Sequence, residues 1–171
     1  MFNLFNKKPL PNIAKKWLPY FYQFNIREKH FWLEKDRLRE KFAHNPSNVR
    51  KKYGVEPTDG DVIWSMFNAV LQTCKKDWEI ASVMKNQAQY LWEDKGKIEH
   101  AKILQQEADL IMMRKIADSV EIRISKDSCD KCKKLDGKVF TLEEARKKRI
   151  LPQKRCTHKY GCRCWYRSVE K

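Results

Sequence analysis

The stretch CDKCKKLDGKVFTLEEARKKRILPQKRCTHKYGCRC, residues 129–164, holds five of the chain's six cysteines in two tight clusters. Cys129 and Cys132 form the first. Cys156, Cys162 and Cys164 form the second, with His158 among them. A tetrahedral zinc ion takes four soft or borderline ligands converging from separate chain segments, and a two-residue gap lets one turn present both sulfurs of a pair. The spacing therefore predicts a structural zinc site with Cys129 and Cys132 as its secure half. For the other half the reading favours Cys156 and Cys162, because Gly161 permits a tight turn between them. Cys164, which lies on the same side as Cys162 in an extended segment, and His158 are the alternates.

Working outward, the segment before the first cluster alternates. Val120, Ile122 and Ile124 are separated by Glu121, Arg123 and Ser125, which is the two-residue period of a half-buried strand. Lys138-Val139-Phe140 after the Asp136-Gly137 turn reads as a second short strand. Thr141 is placed to cap a short helix beginning Leu142-Glu143-Glu144, Pro152 ends the region that follows, and Cys162 to Val169 reads as a closing strand. Asp127, Asp130 and Asp136 are explained as turn residues that satisfy backbone donors. Residues 120–171 carry few large apolar side chains, so burial alone would scarcely offset chain entropy. Structural zinc supplies about 10–16 kcal/mol of apparent free energy in small modules, so this tail is expected to loosen or unfold without its metal.

Residues 1–119 show the helical period instead. Ile13, Trp17, Tyr20, Phe21 and Phe24, then Phe31, Leu38 and Phe42, suggest two short helices disturbed at Pro19. The charged run from Arg27 to Lys41 reads as a solvated face laced with i,i+4 pairs. Asn45-Pro46-Ser47 predicts a turn and Gly54 a break. Pro57-Thr58-Asp59-Gly60 opens a helix with the stripe Val62, Ile63, Met66, Phe67, Val70, Leu71. Cys74 falls on that stripe and is expected to be buried. Asp77 can cap a further helix with Trp78, Ala81, Met84, Ala88, Leu91 and Trp92 on its apolar side, and Gly96 breaks it. A last helix runs from Ile98 to about Asp118. His100 reads as a surface residue, and the Trp, Met and Phe stripes as core. The expected fold is mainly α: a helical bundle over residues 1–119, followed by a small α+β zinc-knuckle module over 120–171, treble-clef-like or zinc-ribbon-like.

The formal net charge is +15, unevenly placed: 13 basic and 6 acidic residues in 1–60, 8 and 9 in 61–119, 16 and 7 in 120–171. Both ends would favour polyanions or acidic partner surfaces. The start, Met-Phe-Asn-Leu-Phe-Asn-Lys-Lys-Pro, lacks a secretory apolar stretch and no run approaches membrane-spanning length, so a cytoplasmic protein without membrane contact is expected. In a reducing compartment such cysteine spacing means metal more often than disulfide.

From Cys129 through Leu135-Asp136-Gly137-Lys138-Val139-Phe140 and Leu151-Pro152 to His158 and Cys162-Arg163-Cys164, the tail resembles the C-terminal zinc-knuckle module of phage minor head, or head-morphogenesis, proteins. Similar modules end uncharacterised bacterial and mobile-element proteins. The resemblance implies Cys129, Cys132, His158, Cys162 and Cys164 as the matching site residues. Here the chain adds Cys156 and separates His158 from Cys162 by Lys-Tyr-Gly where the family has a proline-containing pair.

Three functions fit the sequence. One is a non-catalytic zinc-stabilised interaction protein of bacterial or prophage origin with a protein partner. Another is a nucleic-acid-binding protein using the basic ends, with Trp165, Tyr166, Arg163 and Arg167 as stacking and phosphate contacts, against a plain packing role for the two aromatics. The third is a zinc-supported nuclease with His158 as base, which lacks a visible second phosphate-polarising set. No glycine-rich phosphate loop, nucleophile elbow or zincin helix is present.

Overall fold

A computed structural model of the chain describes residues 9–44, 56–159 and 161–170. Among these are seven α-helices and a small sheet. The stretch Met1 to Lys8, the turn predicted at Asn45-Pro46-Ser47 and the break at Gly54 lie outside the described residues. The chain divides into two compact units, Met1–Gln72 and Thr73–Lys171.

In the first unit, α1 (Asn12–Phe21) runs into a 3-10 turn, Tyr22–Phe24, and α2 spans Glu28–His44. Pro19 sits inside α1 without ending it. The interruption falls at Asn25, in the left-handed region at φ 58°, so the second helix is long rather than short. On α2 the charge pairs are one residue tighter than expected, Glu34 with Arg37 and Asp36 with Arg39, and Lys35 reaches Asp59 at 2.7 Å. The next helix, α3 (Asp59–Thr73), is closed at its start by a reciprocal cap. Asp61 N–H donates to the Thr58 hydroxyl, and the Asp61 carboxylate accepts from Thr58 N–H. Its predicted stripe is buried from Val62 to Val70. Trp17, Tyr20 and Phe21 of α1 meet Phe67 with ring centroids 4.7 to 5.7 Å apart, the aromatic centre of this unit.

The second unit begins with a helical hairpin, α4 (Asp77–Lys95) and α5 (Ile98–Met113), turned at Gly96 in the left-handed region at φ 59°. Lys76, not Asp77, precedes the helix as its cap, with its N–H given to the Glu79 carboxylate; Asp77 instead faces Arg114. Cys74 lies past the end of α3 and is half-buried, which corrects the buried placement. Trp78 and Trp92 are about half exposed, each under a lysine ammonium, and Met112 is exposed too; Val83, Gln87 and Tyr90 are buried in α4 instead. The tryptophan positions thus serve as amphipathic surface, with the cation held over the ring face.

After α5 come β1 (Ser119–Arg123), α6 (Asp130–Lys133), β2 (Val139–Thr141), α7 (Leu142–Lys148) and β3 (Trp165–Val169). The strands form one antiparallel sheet ordered β2-β1-β3, pairing Val120 with Phe140 and Ile122 with Tyr166. Thr141 and Glu144 make a complete capping box at the start of α7, a device worth about 1 kcal/mol. The inner face of the sheet carries Val120, Ile122 and Tyr166, packed with Ala145, Leu151, Leu110 of α5 and three cysteines. The predicted boundary at 119/120 therefore falls within a compact unit, since α5 supplies part of the tail's core.

Tyr166 is buried, with its hydroxyl accepting the Leu151 N–H at 3.0 Å, while Trp165 points out of the sheet at 45% exposure. Burial pushes the Tyr166 phenol up to about 12. Between pH 10 and 12 the folded chain keeps a proton that the unfolded chain has lost, so stability is intact below 10 and falls as pH rises, by at most about 1.4 kcal/mol per pH unit. Denaturant titrations across that window should show this slope, and Tyr166→Phe should flatten it. An unchanged slope in the variant would refute the assignment.

Candidate metal centre

Five sulfurs converge where the two cysteine clusters meet. The thiols of Cys129, Cys132 and Cys156 lie within 4.8 Å of one another, and so do those of Cys132, Cys162 and Cys164. Cys132 belongs to both groups. It sits in α6, whose single turn begins just after Cys129, so that short helix aims both sulfurs of the first pair inward. The other three arrive on the chain that leads into β3. There Gly161, at φ 74°, makes the reversal between His158 and Cys162.

Three of the sulfurs accept backbone N–H donors. Thr157 and Cys132 donate to Cys129, holding its thiol down at about 6. The Cys164 thiol, followed by the backbone N–H groups of Cys164 and Gln153, holds Cys162 down at about 5. Cys156 is pushed up by burial and partly relieved by the N–H of His158. Burial pushes Cys132 up as well; Cys164 is raised first by its contact with Cys162 and then by burial. Amides donated to sulfur favour thiolates, the form that binds metal. None of the cysteines is joined in a disulfide.

Helix α5 grips the second cluster from behind. Lys102 donates from Nζ to the Cys162 carbonyl at 2.9 Å, and Gln106 donates to the Cys164 carbonyl at 3.1 Å. A Cβ at Gly161 would sit 2.8 Å from the Lys102 ammonium, so a larger residue there would push that flexible side chain aside. Burial lowers the Lys102 pKa, opposed by the neighbouring cysteines. Neither residue was singled out by the sequence reading. Their only signal is the i,i+4 spacing that puts two polar groups on one side of α5. A cavity of about 230 Å³ between the start of α5 and the loop after α7 reaches Cys156 and Cys162, a path by which an ion could enter.

The His158 ring belongs to neither sulfur group. Its Nε2 meets the Asp127 carboxylate at 3.1 Å, and Asp127 also accepts from Ser125 and Arg163. The Ser125 hydroxyl is the leading cause that holds Asp127 down at about 2, with His158 and Arg163 adding to it. Asp130 pairs with Lys133 and Asp136 faces Arg123, so all three aspartates brace the turns around the first cluster. Arg167 gives its guanidinium to Glu121 on the adjacent strand. Both arginines considered for phosphate contact are therefore engaged by carboxylates.

The chain is thus a mainly helical protein with a three-stranded antiparallel sheet and a cysteine cluster able to hold a metal ion. Among the described residues no helix is long and apolar enough to cross a membrane. Compared with known proteins, the chain matches no protein family, no curated protein and no solved structure.

Proposed function

We propose that the chain is a non-catalytic interaction protein whose tail is built round one zinc ion, held by Cys129, Cys132, Cys156 and Cys162. The observation that carries this reading is a pair of distances: Cys129 to Cys156 is 3.7 Å between sulfurs, and Cys132 to Cys162 is 3.9 Å. Zinc–sulfur bonds of about 2.3 Å make each edge of a tetrahedron about 3.8 Å. These two contacts share no residue and are linked through Cys132, which lies within 4.8 Å of each of the other four sulfurs, so a bound ion would draw the two pairs together as opposite edges of one tetrahedron. Cys164 is then the fifth sulfur, a neutral thiol that donates to Cys162 and fills the core. A four-thiolate shell with no oxygen donor suits zinc better than magnesium, calcium or manganese.

A closed shell of this kind is structural, because catalytic zinc keeps a position for water. The burial of Cys132 and Cys162, at 1% and 8% exposure, supports it. The interaction role is supported by the outer side of the sheet, where exposed Val139 and Trp165 sit beside Glu121, Arg123 and Arg167. Such an amphipathic surface with an aromatic anchor suits a protein partner. Kinship with the phage head-morphogenesis module, and a reducing, cytoplasmic setting in a bacterium or prophage host, belong to the same proposal. They are supported by the order of the sequence motifs and by the metal-type spacing of the cysteines.

Native mass spectrometry with elemental analysis tests it on protein purified without added metal. One zinc per chain is expected, absent in Cys129→Ser and retained in Cys164→Ala. Cobalt substitution should give the intense visible spectrum of a tetrahedral thiolate site. Protein free of metal refutes the site, and loss of zinc in Cys164→Ala refutes this choice of ligands.

A further inference from the structure

Beside the sulfur cluster, and independent of which ion it holds, lies an open groove of about 900 Å³ between α5, α7 and the loop that follows α7. Six cations line it: Arg114 at the end of α5, Arg146, Lys147 and Lys148 on α7, then Arg149 and Lys154. All six are exposed. Only two carboxylates, Glu107 and Glu143, share the lining. Arg146 faces Glu107 at 3.7 Å, Lys148 pairs with Glu144 one turn back, and Arg114 faces Asp77. Lys147, Arg149 and Lys154 have no ion-pair partner among the described residues. Like charges gathered at this density repel one another, and folding does not require them, because the core beneath is supplied by Leu110, Ala145 and Leu151.

We infer that this groove binds the sugar-phosphate backbone of duplex nucleic acid without reading its sequence. A group of exposed cations lining an open groove suits a ligand that carries many single negative charges. An acidic peptide fits less well: apart from Leu142 and the buried Leu110, no large apolar side chain lines the channel, so nothing there would anchor a peptide side chain. The exposed apolar residues that could enter lipid, such as Ile116 and Trp165, lie outside the lining. A stacking platform for single strands is missing for the same reason, since the lining holds no aromatic ring. The site goes beyond the zinc reading: it places the phosphate contacts on Lys147, Arg149 and Lys154, not on Arg163 and Arg167.

Fluorescence anisotropy on the full-length chain with a fluorescein-labelled random duplex, titrated at several salt concentrations, provides the test. The triple variant Lys147→Gln, Arg149→Gln, Lys154→Gln changes exposed positions only, and its zinc content and circular dichroism verify that the tail is folded. Wild type should bind with a steep salt dependence. The variant's slope of log K against log salt should be smaller in magnitude by about 2 to 3, the loss expected for three phosphate contacts. A control triple, Lys15→Gln, Lys29→Gln, Lys41→Gln, removes the same charge from the first unit and should retain the wild-type slope. Equal losses in both triples would mean that net charge alone drives binding, overturning the groove. Undiminished binding by the groove variant would overturn it as well. Equal affinity for polyglutamate or for phosphatidylserine vesicles, lost in the same variant, would overturn the choice of nucleic acid.

Discussion

Stripping the proposed zinc with a strong chelator is expected to dissolve the sheet while leaving much of the helical signal in place. On the inner face of the sheet Val120, Ile122, Tyr166, Leu151 and Leu110 are the larger buried side chains, Cys132, Cys162 and Cys164 sit among them, and side chains such as Phe140, Leu142 and Ile150 at the edge are only partly buried. Without metal, several partly or fully buried thiols whose sulfurs crowd within 4.8 Å must either ionise and repel or stay neutral and lose their amide partners' best acceptor. Structural zinc contributes about 10–16 kcal/mol of apparent free energy in comparable modules, more than the whole stability of many domains. Amide hydrogen exchange should therefore show Val120, Ile122 and Tyr166 losing protection by several orders of magnitude on chelation, with Cys129→Ser behaving likewise. Returning zinc should restore protection in the wild type and not in the variant. If these amides stayed protected with the metal gone, the apolar core alone would be holding the sheet and the structural reading of the site would fail.

How much of this was legible beforehand follows the range of the interaction concerned. The alternation Val120-Glu121-Ile122-Arg123 became β1 with its odd and even residues on opposite faces, and Thr141 with Glu144 became a capping box, because both signals lie within a few residues. The cysteine spacing announced convergence of the two clusters for a similar reason, since metal ligation leaves a local mark at each end. Nothing local marks Lys102 and Gln106 as partners of the Cys162 and Cys164 carbonyls, about 60 residues along the chain. The boundary expected at 119/120 follows the change of period after Ser119, and it lies inside the compact unit Thr73–Lys171 that α4, α5 and the tail share. The apolar stripes misled in the opposite direction. Trp78 and Trp92 fit the helical period of α4, yet a large ring can lie flat on a surface under a lysine and still satisfy its amphipathic character. The charge count marked the tail as basic, but only the folded chain separates arginines committed to carboxylates, Arg163 and Arg167, from cations grouped along a channel.

Truncating Phe67 to alanine should be the most damaging single change in the first unit. Its ring is fully buried and stands against Phe21 at 4.7 Å, Tyr20 at 5.5 Å and Trp17 at 5.7 Å. Edge and tilted contacts of this kind add to the apolar area each ring removes from water. Loss of a buried phenylalanine costs about 3–5 kcal/mol through transfer and the cavity left behind. Other side chains of this core, Leu18, Ile63 and Val62 among them, are already packed with almost no exposed surface to give up. A small domain has only about 5–15 kcal/mol in hand, so the variant should be partly unfolded at physiological temperature. Trp17, buried beside the cavity, provides the readout, and its fluorescence should shift to the red as the unit opens. Phe67→Leu, which keeps most of the volume, should show a milder loss with the same sign. Metal content is the internal control, because every sulfur donor considered lies between Cys129 and Cys164. A variant with normal stability would mean that the aromatic cluster is not the centre of this unit.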